Sequence, residues 1–369
     1  MLDIDQIRAL PKISLHDHLD GGVRPGTIID LNRAAGLPVP TTDAAELAAL
    51  ILERSRSGSL DEYLSSFELV IAALQTGDAL ERVATEFVED LAADGVIYAE
   101  VRWAPSAHTR GDLSPEQAVD AVQRGIDRGV RAVHATGRGI RVEQLLTALR
   151  HEHHALDTAR LVLQRRGRGV VGFDIAGPEM AHDLGPHADA LALLARRCVP
   201  CTIHAGEAAG VASIRDALVD GHALRLGHGV RIVDDIRVRA GANGDTDAEL
   251  GEIATWVRDR QIVLELSPTS NLHTAAAPGA GIQDHPFDLL YRLGFAVTVN
   301  VDNRTMSATT LTDELAGLAG AFDYGIHDLL RFQRTAADAA FLPRADRQAL
   351  ARTLDAHGGS APGEKDLRS

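Results

Sequence analysis

Short apolar runs and longer amphipathic stretches alternate along most of the chain. Eight runs rich in apolar and β-branched residues read as strands, at 12–15, 96–103, 140–146, 169–175, 201–204, 225–227, 262–266 and 296–301. Between them apolar positions recur at helical spacing over 25–35, 43–51, 59–74, 79–94, 115–130, 156–164, 188–197, 213–219, 247–258 and 286–293. In the stretch 59–74, Tyr63, Phe67 and Val70 fall at i, i+4 and i+7, which suits either a core-facing stripe or a lid over an apolar pocket. Strand and helix alternating in this way predict an α/β fold, a parallel (β/α)8 TIM-type barrel with extra helices. The length of 369 residues suits one large barrel, and no shift in composition divides it. Residues 1–357 are therefore expected to form a single catalytic domain and 358–369 a flexible C-terminal tail, with the polar, Gly-rich 239–246 as a surface excursion.

Charge and composition narrow the partners. A formal net charge of -15 disfavours nucleic acid, whose binding draws on Lys and Arg at phosphates, and favours a neutral or cationic small molecule. No stretch reaches the ~18 consecutive apolar residues of a membrane span, and the first residues carry no basic segment ahead of an apolar one. A cytoplasmic protein with no membrane partner is expected; nothing in the sequence indicates an oligomeric state. The two cysteines, Cys198 and Cys201, form a C-x-x-C without the second pair that a zinc site wants, and read as reduced, packed thiols. Gly167, Gly169 and Gly172 match G-x-G-x-x-G, yet the motif follows a helix and opens a strand, the reverse of a dinucleotide fingerprint.

In a (β/α)8 barrel the C-terminal ends of the strands share one mouth, where chemistry gathers. The first strand ends in His16, His18 and Asp20, the fourth in Gly177, the fifth in His204 and Glu207, the sixth in His228 and the eighth in Asp302 and Asn303. Two imidazoles at i and i+2 of a strand point to one face. His16, His18, His204 and Asp302 would supply three nitrogens and a carboxylate to a Zn²⁺, leaving room for a water whose pKa the ion lowers toward ~7. The lysines are Lys12 and Lys365, neither placed to bridge two metals from the fourth strand, so one Zn²⁺ per chain is expected. The cluster from His151 to His154 follows the third strand; it reads as a solvated loop or helix start, although that loop faces the same mouth.

The runs Leu15-His16-Asp17-His18-Leu19-Asp20-Gly21, Asp174-Ile175-Ala176-Gly177, His204-Ala205-Gly206-Glu207, Gly227-His228-Gly229 and Asn300-Val301-Asp302-Asn303, in this order, resemble the adenosine deaminase family of metal-dependent hydrolases. The resemblance extends from Pro11 past Asn303 and implies hydrolytic deamination of a purine nucleoside. It implies that His16, His18, His204 and Asp302 hold zinc, that Glu207 donates a proton to purine N1, and that His228 orients the attacking hydroxide while Asp302 takes up its proton. Gly177 is implied to contact N3 through its backbone N–H, and His18 with Asp20 to hold the 5′-hydroxyl. The family pattern has two aspartates where this chain has Asp302 and Asn303. An Asn amide can donate to purine N7 without an unusual pKa. Pro178 and Val301 are smaller departures. Adenosine and 2′-deoxyadenosine are the expected substrates; another aminopurine (a 5′-modified adenosine, a nucleoside-antibiotic precursor or free adenine) is the alternative, and a non-catalytic nucleoside-binding barrel a more distant one.

Overall fold

The computed structural model describes residues 2–56, 67–240 and 246–358. Its strands in chain order are β1 (Lys12–His18), β2 (Val96–Trp103), β3 (Arg141–Leu149), β4 (Val170–Ala176), β5 (Thr202–Ala205), β6 (Arg225–His228), β7 (Ile236–Ala240), β8 (Thr246–Leu250), β9 (Val263–Leu266) and β10 (Val297–Val299). β1 to β4 pair in sequence, and β5, β6, β9 and β10 pair in sequence, all in parallel. The two halves meet at two parallel bridges, Phe173 with Cys201 and Asp17 with Asp302, closing the eight-stranded barrel with helices around it. At the second bridge His18 N–H donates to the Asp302 carbonyl at 2.8 Å, and Asp302 N–H to the His16 carbonyl at 3.0 Å. Barrel closure thus sets the end of β1 against Asp302.

The outer helices follow from local chemistry. Helix Pro115–Ala135 begins with Pro115 at its first turn and a reciprocal capping box between Ser114 and Gln117. It packs closely on helix Gly77–Ala93 because Gly125 has no side chain; a Cβ there would lie 2.3 Å from the Glu81 carbonyl. Inside the barrel, by contrast, the filling is largely ionic. Glu265 accepts from Arg102 Nη2 at 2.7 Å, Arg225 Nε at 2.6 Å and Thr202 Oγ1 at 3.2 Å, all fully buried. Glu100 accepts from Arg225 Nη2 at 2.6 Å, Tyr98 OH at 2.9 Å and Phe341 N–H at 2.6 Å. At the opposite end from the mouth, Lys12 donates to the carbonyls of Arg8, Leu10 and Asp94 at 2.9, 3.0 and 2.7 Å. Its three ammonium hydrogens are thereby used in structure.

Two sequence expectations change. Residues 247–250 form the second strand of the antiparallel β7–β8 hairpin, and the helix expected from 247 begins only at Glu252. The physical reason is Asp235, whose carboxylate accepts from Ile253 and Ala254 N–H at 3.0 and 2.9 Å and so fixes the helix start beyond Gly251. Of the stretch 59–74, helix Phe67–Ala73 is described, with Phe67 and Val70 buried; Tyr63 lies outside the described residues. Three helices after β10 that periodicity did not single out, Leu311–Phe322, Ile326–Ala339 and Arg344–Gly358, complete the fold. Gly358 thus belongs to a helix, and 359–369 lie outside the described residues.

Helix Leu311–Phe322 carries a buried carboxyl, Glu314, that accepts from Thr269 N–H at 3.2 Å and Thr309 OH at 2.9 Å, anchoring helix Pro268–His273. Burial pushes Glu314 up from 4.5 to about 7. The folded state then holds this proton more tightly than the unfolded chain. Its contribution to stability is full below about pH 4.5 and is lost as the pH rises through about 7. Glu314→Gln is expected to remove that part of the pH slope in urea-unfolding free energy; an unaltered slope would show that Glu314 titrates normally.

Candidate active site

Two carboxylates inside the barrel orient two imidazoles. His16 Nδ1 lies 3.0 Å from Glu265 Oε2, and His204 Nδ1 lies 3.1 Å from Asp174 Oδ1. Burial would raise Glu265, but Arg102 and Arg225 hold it well below the ordinary carboxylate range. Asp174 is lowered in the same way by His204 and Arg102 against burial. An ionised carboxylate only accepts, so each ring donates through Nδ1 and presents a bare Nε2 to the mouth. His16 Nε2 lies 3.2 Å from Asp302 Oδ1, while His18 Nε2 lies 3.2 Å from His204 Nε2 and 3.3 Å from Asp302 Oδ1. The bare Nε2 atoms and the carboxylate oxygen repel one another this close unless a cation, or a proton on His18 Nε2, lies among them. His16 Nε2 is buried and without a hydrogen-bond partner among the described residues. One ligand atom from each of His16, His18, His204 and Asp302 lies within 4.8 Å of the others. Three nitrogens and one oxygen at such separations fit a divalent transition metal, with Glu265 and Asp174 fixing the outer nitrogens as such sites require.

Above this set lies a cavity of about 500 Å³. His18, Asp20, Gly177, His204, Glu207, His228, Asp302 and Asn303 all line it, and His16 sits beneath. The structure therefore brings every candidate residue read from the sequence to one place. Glu207 Oε2 lies 3.6 Å from His228 Nε2. Burial, then the nearby Asp302 and Glu179, push the Glu207 carboxyl well above its ordinary range, in the direction of the protonated form. His228 and Asp302 have φ of 62° and 60°, left-handed conformations uncommon for side-chain-bearing residues, and each turns its side chain into the cavity. Gly177, with φ of 101°, makes a turn that only glycine takes readily.

Sequence reasoning missed Glu179, Ser270 and Asn271. Glu179 accepts the backbone N–H groups of Gly206, Glu207, Ala208 and Ala209 at 2.6, 3.0, 2.7 and 2.8 Å, shaping the loop that carries Glu207. Ser270 Oγ donates to Asp302 Oδ2 at 2.6 Å, and Asn271 contacts His228 at 2.9 Å. The available signal was weak: a Glu two residues past Gly177 and a Ser-Asn pair just after β9. Of the cluster at 151–154, His151 and Glu152 line the cavity. Among the described residues the metal-compatible groups are the four-residue set above and Glu207, His228 and Asp302, so 151–154 is not one of them. Cys198 and Cys201 are unbridged; Cys201 is buried, which pushes its thiol up to about 12, whereas Cys198 is exposed and not packed as expected. Asp174→Asn is expected to weaken metal affinity about 10- to 100-fold by releasing the His204 ring. Competition with a chelator measures it, and unchanged affinity would free His204 from dependence on Asp174.

A sequence model of the adenosine deaminase family matches residues 11–357. The adenosine deaminase of Mycobacterium avium (strain 104) is 47% identical over 350 residues, 95% of each chain. Adenosine deaminase 1 of Streptomyces coelicolor is 46% identical over 366 residues, 99% of this chain and 90% of that one. Among solved structures, the Arabidopsis N6-mAMP deaminase aligns with a TM-score of 0.80 at 27% identity, covering 95% of this chain and 99% of that one. Ordered motifs, barrel and nearly full-length similarity agree: this chain belongs to the adenosine deaminase family.

Proposed function

We propose that the protein is a zinc-dependent deaminase of adenosine and 2′-deoxyadenosine, yielding inosine or 2′-deoxyinosine and ammonia, in cytoplasmic purine salvage. The observation that carries this reading is the placement of Glu207, a buried carboxyl 3.6 Å from His228, beside a set of three imidazoles and one carboxylate. Zinc held by His16, His18, His204 and Asp302 would supply the Lewis acidity that ionises a water near neutral pH. Glu207 protonates purine N1, which draws electrons from C6 as water adds there. Asp302 accepts the proton of the attacking water, and the Ser270 hydroxyl, 2.6 Å from its Oδ2, orients the carboxylate. His228 holds the attacking oxygen in place. As the adduct collapses, the proton taken up by Asp302 passes to the departing amine and the adduct's hydroxyl proton returns to Glu207, so ammonia and the 6-oxopurine are released and both carboxyls are restored.

Gly177 N–H binds N3, and Asn303 donates through its amide to N7. Asn303 packs directly on Gly21, where a Cβ would lie 1.8 Å from its Oδ1. At the sugar end His18 and Asp20 take the 5′-hydroxyl. Asp20 is buried, so a 5′-phosphate would meet a carboxylate shielded from water, whereas a free hydroxyl donates to it. That supports a nucleoside over a nucleotide and gives free adenine no partner for Asp20. No helix among the described residues is long and apolar enough to cross a membrane.

The direct test offers zinc-loaded protein adenosine, 2′-deoxyadenosine, adenine and AMP, and measures ammonia release with the ultraviolet change of the purine. Turnover of the two nucleosides far above the others is expected; release from none would leave a binding protein. Glu207→Gln should keep its zinc while kcat falls about 10²- to 10⁴-fold, because it removes a proton donor and no ligand. Gly21→Ala is expected to displace Asn303 and raise KM at unchanged metal content; an unchanged KM would remove Asn303 from the purine site.

A further inference from the structure

His228 can meet an attacking oxygen in two opposite ways, as a hydrogen-bond donor or as a base, and the choice depends on which ring nitrogen carries the proton. A buried chain of polar groups behind the ring decides it. It begins at a backbone amide: Phe287 N–H donates to His285 Nδ1 at 3.1 Å. Burial pushes His285 down to about 3, so the ring is neutral and its single proton sits on Nε2. His285 Nε2 lies 3.3 Å from one atom of the Asn271 amide, and Ser267 N–H points at the same atom, also at 3.3 Å. An atom facing two donors is the oxygen, which fixes the orientation of an amide that geometry alone leaves ambiguous. Its partner is therefore the amide nitrogen, 2.9 Å from His228 Nδ1. That nitrogen has only hydrogens to offer. Asn271, His285 and His228 are all at most 2% exposed, so water does not compete for these contacts.

We propose that Asn271 and His285 act as positioning residues that lock His228 as its Nε2–H tautomer, making it a hydrogen-bond donor to the attacking oxygen and excluding it as the base. Nδ1 must present a lone pair to the Asn271 amide, which leaves the proton on Nε2, the nitrogen that faces Glu207 and the cavity. Helix Pro268–His273 then sets both partners of the nucleophile from adjacent positions. Asn271 makes His228 a donor, and Ser270 holds Asp302 Oδ2 so that Oδ1 faces the His16 and His18 nitrogens. The role of the donor rests on the deaminase reading, whereas the tautomer does not and can be read without substrate.

The test uses zinc-loaded protein labelled with ¹⁵N-histidine, the His228 signals being assigned by their loss in His228→Gln. Long-range proton–nitrogen correlation should show an unprotonated Nδ1 and a protonated Nε2 before any substrate is added. Asn271→Asp puts an acceptor opposite Nδ1 and is expected to draw the proton there. At full zinc content kcat should fall about 10²-fold, the scale of losing one preorganised donor, with KM for adenosine changed much less. His285→Leu leaves the amide held by Ser267 alone and should show both tautomers with a smaller loss of kcat. A wild-type ring protonated on Nδ1, alone or together with Nε2, overturns the proposal even if neither variant folds. So does an Asn271→Asp protein that retains the wild-type ring pattern, or one whose activity falls only in step with its zinc content. Failure of the deaminase reading would appear separately, as the expected ring pattern in a protein that releases no ammonia.

Discussion

Two ionised carboxylates buried inside the barrel, Glu265 and Asp174, determine how the mouth is built. Each holds the outer nitrogen of one imidazole and so turns a bare nitrogen toward the same point. Their own charges are balanced by Arg102 and Arg225, with Glu100 closing the network beneath. A buried charge set of this kind is stable only when complete, because removing one member strands another away from water. The interior of this barrel therefore serves as the foundation of the site as well as a core. The apolar packing of the fold lies mainly between strands and outer helices.

Much of this was legible in the sequence because two simple geometries carried it. Alternation of strand and helix gives a barrel, and a barrel sends the ends of its strands to one mouth; His16, His18, His204, Glu207, His228 and Asp302 could be gathered on those grounds alone. Residues that act through curvature were not legible. Glu265 lies in the middle of β9, and nothing in its local sequence shows that it reaches His16 on β1. Glu179 reads as an ordinary loop carboxylate until four backbone amides are seen to converge on it. The β7–β8 hairpin is not legible because its second strand runs straight into an amphipathic segment, and the boundary is set by Asp235 from outside that segment. The C-terminal helices are tied to the barrel by a contact that local sequence does not show: Phe341, just beyond one of them, donates its N–H to Glu100 and stacks on Arg225 at 3.6 Å.

The positions most costly to the backbone are also those nearest the chemistry. His228 and Asp302 both hold left-handed conformations at the mouth end of the barrel. Such conformations persist when neighbours over-determine them. Here the neighbours are visible: Asn271 against His228, Ser270 against Asp302, and the bridge from Asp302 back to β1.

That last bridge has a consequence for how the protein is made. The metal-compatible set draws His16 and His18 from near the start of the chain and Asp302 from far along it, and their strands touch only where the barrel closes. A chain still emerging from the ribosome holds the first two ligands long before the last exists. Tight metal uptake must then wait for a pairing between strands far apart in sequence, a contact of the kind that forms slowly because a long loop has to be closed first. The ion would enter as the seal on a finished barrel, stabilising the folded state and leaving the partly made chain without its help.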